Sequence, residues 1–262
     1  LLGNKYKFDF VITEIGGTVG DIESLPYLES IRQLKWELGR NALCVHLTYV
    51  PYLTAAGELK TKPTQHSVKE LQSVGIQPDI LVLRTEHNLS TNLKKKVALF
   101  CNVDESAVVQ SMDMPTIYEV PLRMQEQKLD VTILEKMGLP VGETPELGPW
   151  KDFLNRRHNA TEKVKIGLAG KYDLQDAYKS ILEALSQAAT YNDRKADIHF
   201  INSEKLTDEN VEESLKEMDG IIICPGFGQR GIEGKFVALK YCRTHNVPTF
   251  GICLGMQCMA IE

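Results

Sequence analysis

The chain has 262 residues, 43% of them hydrophobic and 25% charged, which is enough ordinary globular sequence for two cores and excludes a disulfide-stapled miniature or a disordered tail. Thirty Lys and Arg against 35 Asp and Glu leave a net charge of -5, so there is no basic footprint for a nucleic-acid backbone. No apolar run approaches the roughly 18 residues a spanning helix needs, so no membrane partner is expected.

The first residues, Leu1-Leu2-Gly3-Asn4-Lys5, lack the order of a secretory leader and include no initiator Met, so the start of the protein is expected upstream. Six cysteines, at 44, 101, 224, 242, 253 and 258, show no CxxC pairing and mostly sit in apolar runs. That usage suits reduced thiols in a cytosol and neither a disulfide framework nor a zinc site.

Short β-branched runs alternate with helical-period segments, the pattern of a parallel sheet covered by helices, so the fold class is α/β. Strands are expected at Phe8 to Thr13, Ala42 to Tyr49, Asp79 to Leu83 and Val108 to Ser111. Helices are expected at Leu25 to Leu38, Thr64 to Ser73 and Thr91 to Phe100. Met137 to Pro149 holds three prolines and three glycines and reads as a linker, which divides the chain into a domain over 1-137, a linker over 138-160 and a second domain over 161-262. There the alternation restarts: strand Lys163 to Ala169, helix Asp176 to Thr190, strands Asp197 to Ile201 and Gly220 to Cys224, helix Glu233 to Thr244, strand Pro248 to Ile252. The second sheet is expected to leave an apolar edge uncovered after Ile252.

In the first domain, Glu14 follows the Phe8 to Thr13 run and precedes Gly16-Gly17-Thr18-Val19-Gly20-Asp21-Ile22-Glu23. An acid at such a strand end holds Mg²⁺ near phosphates in P-loop folds, and Glu14 fits that place. Asp21 or Glu23 alone would equally suit a helix cap. Gly57 to Ser67, with Lys60, Lys62, hydroxyls and a helix start, has the ingredients of a triphosphate cradle, although a solvated loop with a Thr cap looks alike. Lys94, Lys95 and Lys96 read as a solvated helix face, and spacing does not choose among them. No G-x-x-x-x-G-K-[ST] loop occurs, so any phosphate loop is expected before the first strand.

In the second domain, Gly251-Ile252-Cys253-Leu254-Gly255 is the sulfur form of the nucleophile elbow, a tight turn from a strand into a helix. The helix N-terminus offers partial positive charge to an anionic sulfur and N–H groups to an oxyanion. A lone Cys is more often a buried core residue, but glycines at both elbow positions argue for the turn. Gly226-Phe227-Gly228 follows another strand end; alone it is a plain turn, and beside the elbow it becomes a candidate for a second oxyanion donor. His158, His199 and His245 are not on loops after a later strand, so the general base is expected beyond residue 262.

In this order the motifs closely resemble those of the CTP synthase family of glutamine-dependent amidoligases. The likeness rests on Glu14 to Ser24, Gly57 to Lys69, Gly75 to Ile80 and Gly251 to Gln257, and runs along nearly the whole chain. It implies a P-loop-type synthetase domain followed by a Rossmann-like class I glutamine amidotransferase domain, each in part. It further implies a cytoplasmic homotetramer that aminates UTP with ATP and Mg²⁺, using ammonia released from glutamine and passed internally, with CTP as feedback inhibitor and GTP as activator.

By matched position the resemblance makes Glu14 a Mg²⁺ ligand and puts Asp21, Ile22 and Glu23 in the pyrimidine nucleotide site. It gives Lys60, Thr61, Lys62, Pro63, Thr64, Gln65 and Lys96 to UTP or CTP, and Met112, Asp113 and Met114 to ATP. Cys253 becomes the nucleophile, and Gly226, Leu254, Gly255, Met256 and Gln257 contact glutamine. One departure stands out: the family usually has Pro-Gly-Gly-Phe-Gly where this chain has Cys224-Pro225-Gly226-Phe227-Gly228. Aligned without a gap, Pro225 takes the first glycine's place and removes one N–H, while the Gly226 N–H survives. Two other readings remain: a non-catalytic CTP-binding regulatory or filament-forming relative, and an elbow-type cysteine hydrolase joined to an unrelated nucleotide domain.

Overall fold

The computed structural model describes residues 2–172 and 175–262, and the chain divides into two compact units, Leu1–Glu146 and Leu147–Glu262. Both are α/β with parallel sheets, as the alternation of apolar runs predicts. In chain order the first unit contains α1 (Leu2–Tyr6), α2 (Leu25–Leu38), β1 (Val45–Tyr49), β2 (Tyr52–Leu53), β3 (Glu58–Leu59), α3 (Lys62–Ser73), β4 (Ile80–Thr85), α4 (Thr91–Cys101), β5 (Val108–Met112), α5 (Val120–Glu126) and α6 (Leu129–Met137). The second contains α7 (Gly148–Asn159), β6 (Lys163–Gly170), α8 (Lys179–Tyr191), β7 (Lys195–Asn202), α9 (Val211–Leu215), β8 (Gly220–Ile223), α10 (Ile232–Thr244), β9 (Thr249–Gly251) and α11 (Leu254–Ile261).

Among the described residues the first sheet runs β1-β4-β5, all parallel, with Val45 opposite Ile80 and Leu81 opposite Val108. Strand side chains alternate faces, and the central β4 serves two cores. Leu81 and Leu83 join Val68 of α3 and Val97 and Ala98 of α4, while Ile80 and Val82 join Val109 and are packed by Met124, Leu129 and Ile133 of α5 and α6. Full burial of each such side chain contributes roughly 1.5–3 kcal/mol. β1 inverts the usual arrangement. Its buried face is polar, with His46 Nε2 2.9 Å from Ser67 Oγ and Thr48 Oγ1 3.1 Å from Thr64 Oγ1, whereas Val45, Leu47 and Tyr49 are exposed.

Two expectations are corrected. Phe8 to Thr13 is not a strand. It runs as irregular chain with Phe10, Val11 and Ile12 exposed, and it pairs with no strand among the described residues; without a neighbour to satisfy its N–H and C=O groups, an apolar run has no reason to stay a ladder member. Within the segment read as linker, 138–147 is irregular but 148–159 forms α7. Its Pro149 occupies the first turn, where a missing N–H costs no intrahelical bond.

The second sheet runs β7-β6-β8-β9, again all parallel, with Leu168 opposite Ile222 and Ile223 opposite Gly251. One face carries Ala169, Ile201, Ile221 and Ile223 against Leu215 of α9, Ala238 and Leu239 of α10 and Cys258 of α11. The other carries Leu168, Ile166, Ile198 and Ile222 against Ile181, Leu182 and Leu185 of α8. β9 is an edge strand of this sheet, and its Phe250 is exposed.

Candidate functional site

The carboxyl edge of the second sheet gathers the chemistry of that unit. β8 and β9 are hydrogen-bonded neighbours in register, so the chain leaves both strands side by side, into Cys224–Gly228 after β8 and into Ile252–Cys253 after β9. Cys253 stands between β9 and α11 at φ 51°, ψ −109°, a conformation that costs an L-residue on the order of 1–3 kcal/mol. The turn is held by Ile252 N–H donating to the Ile223 carbonyl at 3.0 Å and Gly255 N–H donating to the Ile252 carbonyl at 2.8 Å.

Both flanking glycines are steric requirements. A Cβ on Gly251 would sit 2.6 Å from the backbone of Gly255 and Met256, and one on Gly255 would overlap the Ile223 carbonyl. Only this close approach lets α11 start directly over the strand ends and leaves the Cys253 thiol exposed at the turn. Leu254 opens α11, where the first N–H groups of a helix have no intrahelical acceptor and face an incoming anion.

Cys253 is the exposed cysteine; Cys44 is half-buried and the other four are buried. Burial pushes the Cys224 thiol up to about 12 and the Cys101 thiol up to about 11, and moves Cys44, Cys242 and Cys258 upward as well. These five are held as neutral thiols, poor nucleophiles.

Two buried lysines flank the loop after β8. Lys171 Nζ donates to the Phe227 carbonyl, and Lys235 Nζ, on the first turn of α10, donates to the Cys224 carbonyl at 2.7 Å. Burial lowers the Lys235 ammonium below its ordinary range. Neither lysine stands out in the sequence. The signal for Lys171 is its place directly after β6, at the same carboxyl edge. Lys235 lies one turn inside an amphipathic helix and gives none.

The histidines are elsewhere. His245 stacks on Tyr241, ring centroids 4.1 Å apart, at the C-terminal end of α10, and a helix returning from a parallel strand ends at the amino edge of the sheet. His158 is in α7, whose end feeds the amino end of β6. His199 is on β7, three strand spacings from β9, or roughly 14 Å.

In the first unit the candidates fall in two places. Lys60 follows the β2–β3 hairpin at the carboxyl edge of β1, ion-paired to Glu58 at 2.5 Å. Thr61 precedes α3, whose first turn, Lys62-Pro63-Thr64, has no side-chain cap. Thr64 and Gln65 are buried and engaged internally, Thr64 Oγ1 with Thr48 and the Tyr49 carbonyl, and Gln65 Nε2 with Thr61 Oγ1 at 3.3 Å. Met112, Asp113 and Met114 leave β5 at this same edge, with Asp113 paired to Arg84 at 2.9 Å. Lys96 is exposed midway along α4.

Glu14, Asp21, Ile22 and Glu23 are exposed on the irregular segment before α2, where Asp21 accepts the Thr18 N–H at 2.8 Å. Val19 of that segment packs against the cluster of Leu28, Leu71 and Ile76, which includes the far end of α3, roughly 14 Å along the helix from Lys62. Asp21, Ile22 and Glu23 are themselves exposed, and among the described residues no hydrogen bond or ion pair links them to the Lys60–Gln65 stretch. Among the described residues no three His, Cys, Asp or Glu side chains are assembled around a possible metal. Glu14 is a single exposed carboxylate, which fits Mg²⁺ that takes its other ligands from phosphates and water.

A parallel α/β sheet with a cysteine elbow and a facing glycine loop at its carboxyl edge defines the second unit as an amidotransferase-type domain that follows a separate α/β unit in the sequence. The comparisons agree. Residues 2–139 match the family model described as CTP synthase N-terminus, and residues 173–262 match glutamine amidotransferase class-I. The chain belongs to the CTP synthase family. It is 81% identical over its full length to the CTP synthase of Bacteroides thetaiotaomicron, covering 49% of that protein, and 68% identical to that of Porphyromonas gingivalis, again covering 49%. It thus spans about half the length of the curated relatives it matches. A solved Trypanosoma brucei CTPS glutaminase domain with bound acivicin is 38% identical, with 36% of this chain and 38% of that one covered at a TM-score of 0.34. No helix among the described residues is long and apolar enough to cross a membrane.

Proposed function

We propose that the full-length protein is a CTP synthase, an ATP-dependent ligase that aminates UTP with ammonia drawn from glutamine, in pyrimidine nucleotide synthesis. The observation that carries this reading is the elbow. Cys253 is the exposed thiol of the chain, on a strained turn that only Gly251 and Gly255 permit. Its sulfur attacks the glutamine side-chain carbonyl carbon and forms a C–S bond. The oxygen takes the negative charge within reach of the Leu254 and Gly226 N–H groups. Collapse breaks the C–N bond and releases ammonia, and water then cleaves the thioester. Gly255, Met256 and Gln257 form the rest of the glutamine-binding turn. No histidine of the described unit stands at this edge, so the base is assigned to the remainder of the protein.

In the first unit the uncapped start of α3 and Lys60 would hold nucleotide phosphates, with Thr61 to Gln65 shaping the turn and Lys96 adding charge from α4. Met112, Asp113 and Met114 would lie near the ATP base, and Glu14 would hold Mg²⁺, which supplies charge neutralisation at the phosphates. Asp21, Ile22 and Glu23 would contact the pyrimidine of UTP, or of CTP as feedback inhibitor. An assembly in which different copies supply the two stretches would be in keeping with a homotetramer. GTP as activator and a cytoplasmic location complete the reading.

The test uses full-length protein. Cys253→Ala should lower glutamine-dependent CTP formation by more than about 10³-fold while leaving ammonia-dependent formation intact. Loss of both activities in a folded variant would overturn the assignment.

A further inference from the structure

The least expected group near the elbow is the ammonium of Lys235. It is 0% exposed, although lysine is rarely buried without an ionic partner, and its hydrogen bond is to a backbone carbonyl, that of Cys224, at 2.7 Å. A methionine would fill the same volume without the several kcal/mol that burying a charge costs.

The position of the amine gives it a role. The loop Cys224–Gly228 has two glycines and a proline, so it has few side chains with which to hold its own peptide planes, and Gly228 sits at φ +71°. Lys235 Nζ lies beneath the middle of this loop, 3.8 Å from where a Gly226 Cβ would be; Lys171 Cε is 3.3 Å from the same point. The amines grip the loop at two carbonyls, Lys235 at Cys224 and Lys171 at Phe227.

In a trans peptide the C=O and N–H point in opposite directions. Holding the Phe227 carbonyl on Lys171 therefore turns the Gly228 N–H away from that side. Holding the Cys224 carbonyl on Lys235 fixes the plane that leads into Pro225, and because the proline ring locks φ, only ψ of Pro225 is left to turn the Gly226 N–H. A rotated loop would instead offer a carbonyl to the developing oxyanion, which is repulsive. The helix start that carries Lys235 reaches this depth because Gly234 packs directly on the Ser203 backbone, where a Cβ would overlap.

We infer that Lys235 is a positioning residue for the glutaminase half-reaction, holding the Cys224–Gly228 loop so that the Gly226 N–H is aimed at the oxyanion formed on Cys253. This rests on the glutaminase reading above. It assigns the lysine to the transition state, since a loop held for an oxyanion matters little to a neutral amide in the ground state.

The experiment replaces Lys235 with Met in the full-length enzyme and measures glutaminase kcat and KM, ammonia-dependent CTP formation, and inhibition by γ-glutamyl semialdehyde. With that aldehyde the Cys253 sulfur adds to the carbonyl carbon, the C=O π bond opens, and the oxygen sits where the oxyanion would. Expected are a fall in kcat of about 10- to 100-fold, KM for glutamine within about twofold, intact ammonia-dependent activity, and aldehyde affinity reduced by a factor similar to that in kcat. Unchanged kcat, or a raised KM with unchanged kcat, would overturn the inference. So would ammonia-dependent activity falling in step with kcat. Should Lys235→Met not fold, Lys235→Leu, which also lacks a donor, is read by the same split. If the unsubstituted enzyme hydrolyses no glutamine, the glutaminase reading fails instead, so the two failures are distinguishable.

Discussion

The two units put the same architecture to different use. In the second, the carboxyl edge of β8-β9 brings the exposed Cys253 turn and the Cys224–Gly228 loop together within one chain, because adjacent strands in register end side by side. In the first, the carboxyl edge of β1-β4-β5 gathers the start of α3 and the Met112–Met114 turn, while Asp21, Ile22 and Glu23 are exposed on a segment that belongs to no strand, whose Val19 packs on Leu28, Leu71 and Ile76. A parallel sheet guarantees convergence only for residues that leave its strands at one edge. Residues on a segment that belongs to no strand are not placed by that rule.

The comparison can be broken most sharply at the elbow. Gly255→Ala should cost about 3 kcal/mol or more of stability, because its Cβ overlaps the Ile223 carbonyl and the backbone cannot retreat from β8. Denaturant unfolding of the variant checks this, and a loss below about 1 kcal/mol would show that the second unit's edge is less tightly specified than the geometry indicates.

Next in size is an alkaline effect. Cys224 and Cys101 have folded-state values of about 12 and about 11 against an ordinary 9.0, so the unfolded chain loses these protons first. Their contribution is fully present below pH 9 and is lost as pH rises toward 11 and 12. Cys224→Ala and Cys101→Ala should each flatten the decline between pH 9 and 11; Cys224 tests the second unit and Cys101 the first. A slope unchanged in both variants would remove the thiols from the account.

The smallest effect is in the first unit. Lys60→Ala should weaken UTP binding about tenfold, near 1.4 kcal/mol, since Lys60 is a half-exposed ammonium already shared with Glu58. Calorimetry on the full-length protein gives the number, and unchanged affinity would remove Lys60 from the phosphate site.

What could be read in advance follows the same division. Gly251-Ile252-Cys253-Leu254-Gly255 was legible because the constraint is local: two glycines and a strand-to-helix switch specify the turn. The buried strands β4, β6 and β8 were legible because apolar runs between turn signals have few alternatives. Phe8 to Thr13 misled for the complementary reason. Its composition suits a strand, but pairing is a property of the neighbour, and no described strand takes that place. Residues 148–159 misled because Pro149 was counted as a breaker when its position in the first turn makes it neutral. Lys171 and Lys235 were invisible because their roles depend on carbonyls 56 and 11 residues away in sequence.

The distribution of the six thiols has a practical consequence. One cysteine is open to solvent, one is half-covered and four are interior, so the protein carries its own attachment point for a reporter. A thiol-reactive fluorophore at low stoichiometry would settle on Cys253 without any engineered substitution, and its emission would sense occupancy of the turn. Slower labelling in the presence of an added small molecule would report that the turn is covered, without an activity assay.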